Sequence, residues 1–111
     1  MALTQLAKPK WQAYFDRIAK SLGPKRVEIE VTGLGLGHQV AADWIPLIGI
    51  SYDPKGEILA VTAEGVEHLI RQPKQIHVDQ DVDWLRSIEA IDAEGNHHIV
   101  LLKDPLQLPA A

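Results

Sequence analysis

The sequence contains no cysteine, which removes disulfide frameworks, thiolate metal sites and cysteine nucleophiles together. Aromatic side chains are scarce, with three Trp, two Tyr and one Phe, so wherever they cluster they mark the core. Long apolar runs are missing. No stretch approaches the ~20 residues that span a bilayer, and residues 1–10 lack the apolar segment of a secretory signal. A large charge excess is also missing, because 11 Lys+Arg against 15 Asp+Glu give a net charge of −4. That balance argues against nucleic acid as a partner. What remains is the expectation of a soluble, cytoplasmic domain with no membrane contact. Usage is otherwise ordinary, 46% hydrophobic and 23% charged over 111 residues. A chain of this length buries about two-thirds of its unfolded surface, so 1–111 reads as one domain, with irregular tails at 1–8 and 106–111.

Trp11, Tyr14, Phe15, Ile18, Ala19 and Leu22 recur at helical spacing and predict an amphipathic helix. Pro9 suits its first turn and Gly23-Pro24 its end. After Pro24 the period becomes 2: Val27, Ile29 and Val31 alternate with Arg26, Glu28, Glu30 and Thr32, a half-buried strand. The parity slips at Gly33, which reads as a bulge or bend. Trp44 to Tyr52 reads as a buried strand with Pro46 near its beginning or an edge, and Asp53-Pro54-Lys55-Gly56 as a turn into a strand at 57–63. Val66, Leu69 and Ile70 sit at i, i+3 and i+4, predicting a short second helical stretch over 64–71 that Pro73 ends. Strands follow at 74–79, 83–91 and 97–103. An acidic turn (Asp79, Gln80, Asp81) and a hairpin loop (Asp92 to Asn96) separate them. The short connections demand antiparallel neighbours. The expected fold is therefore α+β: an N-terminal helix packed on a curled, mostly antiparallel sheet of about six strands, open or closed into a small barrel.

Each chemical motif in the chain falls short of its template. Gly33, Gly35 and Gly37 do not match a dinucleotide loop, since the third glycine is one place early and no helix follows. Asp79, Asp81 and Asp83 open like a calcium loop, but Trp84 stands where glycine is needed and Ala90 where the bidentate glutamate belongs. Of the five histidines, His38, His68, His77, His97 and His98, no pair has helical ligand spacing. His97 and His98 are adjacent in a strand and point to opposite faces. No metal, cofactor or catalytic residue is assigned on this basis. Glu28 and Glu30 lie side by side on one strand face, where a pKa raised by burial would make an acid–base pair. Lys8, Lys10, Arg17, Lys20, Lys25 and Arg26 form a basic side on the helix. Glu67 and Arg71 have the spacing of a helical ion pair. Partner contact is assigned to Trp44, His68, Arg71 and Trp84, the polar pair of the short helical stretch and two tryptophans at strand ends.

The strings Trp11-Gln-Ala-Tyr14-Phe15-Asp-Arg-Ile, Val27-Glu-Ile-Glu-Val31 and Gly49-Ile-Ser-Tyr52-Asp53-Pro54 are distinctive together. With His68-Leu-Ile-Arg71-x-Pro73, Asp92-x-x-Gly95 and Leu102-Lys-Asp104-Pro105-Leu they span nearly the whole chain. In these the sequence resembles a bacterial family known as domain of unknown function 5335. Pro9 departs from the serine-type helix cap that the family favours. The resemblance implies a bacterial, stand-alone domain and brings no activity, cofactor or site residue with it. The functional expectation rests on the residues: a non-catalytic binding or interaction module, with a protein partner or a second copy as its target and any small-molecule ligand unknown. The alternatives are a small enzyme using Glu28, Glu30 or His68 as acid–base groups, and a nucleic-acid binder acting through the basic side of the helix.

Overall fold

The computed structural model describes residues 3–35, 37–81 and 84–104, with Asp81 and Trp84 described by their backbone alone. The periodicities of the chain become one helix and eight strands. They are β1 (Thr4–Gln5), a 3-10 turn at Lys8–Lys10, α1 (Trp11–Ser21), β2 (Arg26–Gly33) and β3 (Gly37–Asp53). Then come β4 (Ile58–Ala63), β5 (Val66–Arg71), β6 (Pro73–Asp81), β7 (Trp84–Asp92) and β8 (His97–Lys103). All pairings are antiparallel, in the order β1-β6-β7-β8-β2-β3-β4-β5. The sheet curls but does not close into a barrel: it ends in two edges, β1 and β5.

The curl originates in β3. Its first part, Gly37–Pro46, pairs with β2, and its second part, Leu47–Asp53, pairs with β4. Three register shifts lie along its ladders, and each extra residue bends a strand and increases its twist. Trp44, at one of them, has φ of 53°. Ile48 is skipped in the β4 ladder and lies 69% exposed. A continuous apolar run therefore does not make a continuously buried strand here, since within 44–52 only Ile50 and Tyr52 are buried.

Inside the curl, alternate residues of each strand form the core. Val27, Ile29 and Val31 of β2, Leu59, Val61 and Ala63 of β4, and Ile88, Ala90, Val100 and Leu102 of β7 and β8 are all buried. The helix packs its aromatic stripe against β3 on this inner side. Trp11, Tyr14, Phe15 and Ile18 are buried, with Leu22 partly buried and Ala19 exposed. The Trp11 ring meets Tyr52 edge-on at 5.2 Å, its indole N–H donates to the Leu6 carbonyl (2.9 Å), and the Tyr14 hydroxyl bonds Gln80 of β6 (2.5 Å). Burying four large side chains stabilises this docking by several kcal/mol.

Several expectations need correction. The stretch 64–71 is not helical: Glu64-Gly65 is a two-residue hairpin turn closed by Ala63 opposite Val66, and β5 continues from it. Gly65 has φ of 78°, a conformation that costs glycine nothing and ends the helical alternative. The parity slip at Gly33 is a chain reversal, with Gly33 opposite Gly37 across the β2–β3 hairpin. Strand β1 lies within the tail read as irregular: Thr4 and Gln5 pair with Val78 and His77, and the Leu6 amide donates to Ile76 (2.8 Å). With β1 and β5 added, about six strands become eight. Asp79, Gln80 and Asp81 belong to β6 and not to a turn, and Asp83 and the tail 106–111 lie outside the described residues.

Candidate functional site

The inner face of the sheet carries one buried polar side chain among the described residues, His98, which is 7% exposed. It shares its parity on β8 with Val100 and Leu102 and stands opposite Val31 and Ala90. On the far wall of the curl, His68 of β5 stands opposite the buried Val61, so it too points inward. The two rings meet across the interior: His68 Nε2 and His98 Nδ1 are 2.9 Å apart, with ring centroids at 5.1 Å. The other nitrogen of His98, Nε2, lies 2.9 Å from Asp92 Oδ2.

The order of protons along this chain follows from the acceptor at its end. An ionised Asp92 can only accept, so His98 donates its Nε2–H. One further proton is shared between His68 Nε2 and His98 Nδ1. Burial works against ionisation of Asp92. Bonds from the His98 ring, the Asn96 amide and side chain, and the Glu94 amide outweigh it and hold the carboxyl below the usual carboxylate range. Burial, and after it the neighbouring His98, lowers the His68 pKa and keeps that ring neutral.

The loop that supplies Asp92 is positioned by β2. An added Cβ at Gly33 would lie 1.9 Å from Asn96 Oδ1, so only glycine lets Asn96 lie against β2 while donating to Asp92 Oδ2 (3.2 Å). Beside this loop opens a cleft of about 420 Å³, lined by Leu69, Arg71 and Gln72 on one wall and by Asp92, Glu94 and His98 on the other. Along the first wall runs the outer edge of β5, which pairs with β4 alone among the described residues. In a two-residue hairpin the closing pair is hydrogen-bonded, and the pattern alternates from there. The Gln72 amide donating to the Glu57 carbonyl (2.7 Å) fits that count. Val66, His68 and Ile70 therefore bond to β4, while the N–H and C=O groups of Glu67, Leu69 and Arg71 point to the open side.

The residues assigned to partner contact do not form one patch. His68 faces the core, and Arg71 lies exposed at the cleft on the other face of the same strand. Trp44 is half-buried on the outer face of the sheet, with Lys103 Nζ 4.2 Å and Arg26 5.9 Å from its ring. The side chain of Trp84 lies outside the described residues. Glu28 and Glu30 are also on the outer face, alternating with buried Val27, Ile29 and Val31. Burial raises the Glu28 pKa, and Glu30 and Asp43 push the same way, yet His68 is on the opposite side of the sheet. Glu30 instead meets His38 (2.5 Å). The basic side of the helix is partly neutralised, with Lys8 bonding Glu57 (3.0 Å) and Lys25 bonding Asp104 (2.5 Å). Among the described residues no group of three or more His, Asp or Glu side chains converges as a metal cage.

Asp92, His98, Asn96 and Gly33 carry the site and were not singled out by sequence. One signal did exist: His98 has the parity of Val100 and Leu102. It was masked because Ile99 and Leu101 are apolar as well, so the strand pattern does not say which face is inward.

Comparison with known proteins agrees with the sequence resemblance. A family model described as "Family of unknown function (DUF5335)" matches residues 2–111. A curated protein of Aquifex aeolicus (strain VF5), described as an uncharacterized protein, is 36% identical over 110 residues, covering 98% of this chain and 99% of that protein. No solved structure matches. No helix among the described residues is long and apolar enough to cross a membrane. By the extent of both matches, the chain belongs to the DUF5335 family.

Proposed function

We propose that this chain is a non-catalytic interaction module whose binding element is the open edge of β5, which takes up an extended polypeptide segment as an added strand. The carrying observation is that edge itself: six residues in unbroken register with β4, unpaired on the other side among the described residues and bordered by a cleft. Main-chain groups of Glu67, Leu69 and Arg71 supply affinity, and the cleft side chains Arg71, Gln72 and Glu94 supply selectivity. The Asp92–His98–His68 chain holds β5 at its station, so the edge is presented in a fixed position.

The acid–base alternative has less support, because Glu28 and Glu30 are separated from His68 by the thickness of the sheet. The nucleic-acid alternative is weakened by the carboxylates already bonded to Lys8 and Lys25. Selection of peptides from a displayed random library, followed by amide exchange, tests the strand-addition reading. Selected peptides are expected to slow exchange at Leu69 and Arg71 and to lose binding to L69P. That proline removes an N–H which β4 does not use. Failure to select any peptide, or peptides that bind without altering those amides, would overturn it.

A further inference from the structure

The two edges of the sheet are treated unequally, and the sequence of the open one complements itself. Natural sheets blunt an exposed edge with charged side chains, proline, a bulge or a covering segment. Strand β5, Val66-Glu-His-Leu-Ile-Arg71, has no proline and no bulge, no strand covers its outer side among the described residues, and its only charges are one Glu and one Arg of opposite sign. Its outward side carries Glu67, Leu69 and Arg71, and both charged residues are exposed. Four residues apart along a strand, Glu67 and Arg71 are about 13 Å from each other. The ion pair that a helix would have given them is out of reach. Among the described residues neither has an ion-pair partner.

We infer that the segment bound by the β5 edge is β5 of a second copy of this chain, antiparallel to the first and centred on Leu69. The inference rests on the strand-addition reading above and names its partner. In that register Leu69 meets the partner's Leu69 on the two-fold axis. Glu67 stands opposite the partner's Arg71, and Arg71 opposite the partner's Glu67. These three are the positions whose free N–H and C=O groups point outward, so the register that matches the charges is also the one that completes the backbone ladder. Cross-strand partners on one face interact directly, and here two opposite-charge pairs flank one apolar pair. The interface uses the same patch on both copies, so it closes at the dimer and leaves no open β5 edge. Past Arg71 the partner presents Val66 and the narrow Gly65 turn toward the cleft, whose open volume leaves space for a chain of small cross-section.

The test is sedimentation equilibrium from about 10 µM to about 1 mM, a range that reveals weak interfaces. The wild-type chain is expected to approach twice its 12.3 kDa mass as concentration rises. E67R and R71E each set like charges opposite one another at both symmetric positions. Each should weaken the dimer about tenfold or more. An equimolar mixture of E67R and R71E should form a heterodimer at least as readily as wild type forms its dimer, because every cross-strand charge pair is then opposite in sign. The double variant E67R/R71E should recover self-association. These exposed positions are away from the core, so circular dichroism should confirm that each variant is folded. A wild-type chain that stays at monomer mass throughout, or a dimer indifferent to both reversals, would overturn the inference. A monomer that still binds selected peptides at Leu69 would overturn the second-copy partner while leaving strand addition standing.

Discussion

The sheet's two edges are finished by different physics. At the β1 edge, a two-residue strand covers β6 and the chain turns at once into the helix. Trp11, Phe15 and Ile18 then fill the open side of the curl with apolar contact. At the β5 edge no further strand is paired among the described residues. Ile70 of β5 is buried in the core, and beside it a row of three polar groups, His68, His98 and Asp92, ties the strand to β7 and β8, with no backbone ladder between β5 and β8 among the described residues. Apolar closure is insensitive to pH and costly to undo. Polar closure is directional, titrates, and fixes a strand in place without burying its edge.

Substitutions on the two sides should separate these modes. The largest loss is expected from W11A, which removes a side chain 1% exposed from the covered side and should cost about 3–5 kcal/mol of unfolding free energy in urea titration. A smaller loss is expected from H98A on the polar side. It strips Asp92 and His68 of a partner at once, and leaving buried polar groups unmet costs about 1–3 kcal/mol. In that variant the exchange of β5 amides should rise more than that of β2 amides. Equal loosening of both strands would show that the histidine row does not act locally.

The smallest effect should come from pH. His68 has a lowered pKa in the fold, so between its folded value and the ordinary ~6.5 the unfolded chain binds more protons, and stability falls as pH falls. Asp92 is also depressed; its contribution is complete above the ordinary ~3.9 and is lost as pH drops below that toward its folded value. Both groups therefore act in the same direction, His68 first. The melting temperature should decline between about pH 7 and about pH 5 in wild type, and decline less in H68Q. An identical decline in H68Q would place the sensitive group elsewhere.

Most of the framework was legible because local pattern and burial agreed. The helix over Trp11 to Leu22, β2, β6, β8 and the Asp53–Gly56 and Asp92–Asn96 turns all announce themselves by period or turn chemistry. Strand β5 did not. Its inward set is Val66, His68 and Ile70, so the period of 2 passes through a histidine, while Leu69 faces the cleft and completes a false helical spacing with Val66 and Ile70. The same histidine that hid the strand is the one that bonds across the interior. The site was only half legible for a related reason. Its members come from β5, β7 and β8 and from a glycine on β2, and only the curl that begins at the β3 bulges brings them together. Those bulges, at Trp44 and Ile48, depend on packing that residue spacing does not encode.

The central claim is that β5 presents an unpaired edge held in place from its inner face. The most direct measurement is residue-resolved amide exchange by NMR on E67R, which keeps the chain free of self-pairing. Slow exchange is expected at His68 and Ile70, whose amides bond β4, and exchange faster by orders of magnitude at Leu69 and Arg71, whose amides point to the open side. Equal protection of all four would contradict it, because the outer edge of β5 would then already be covered.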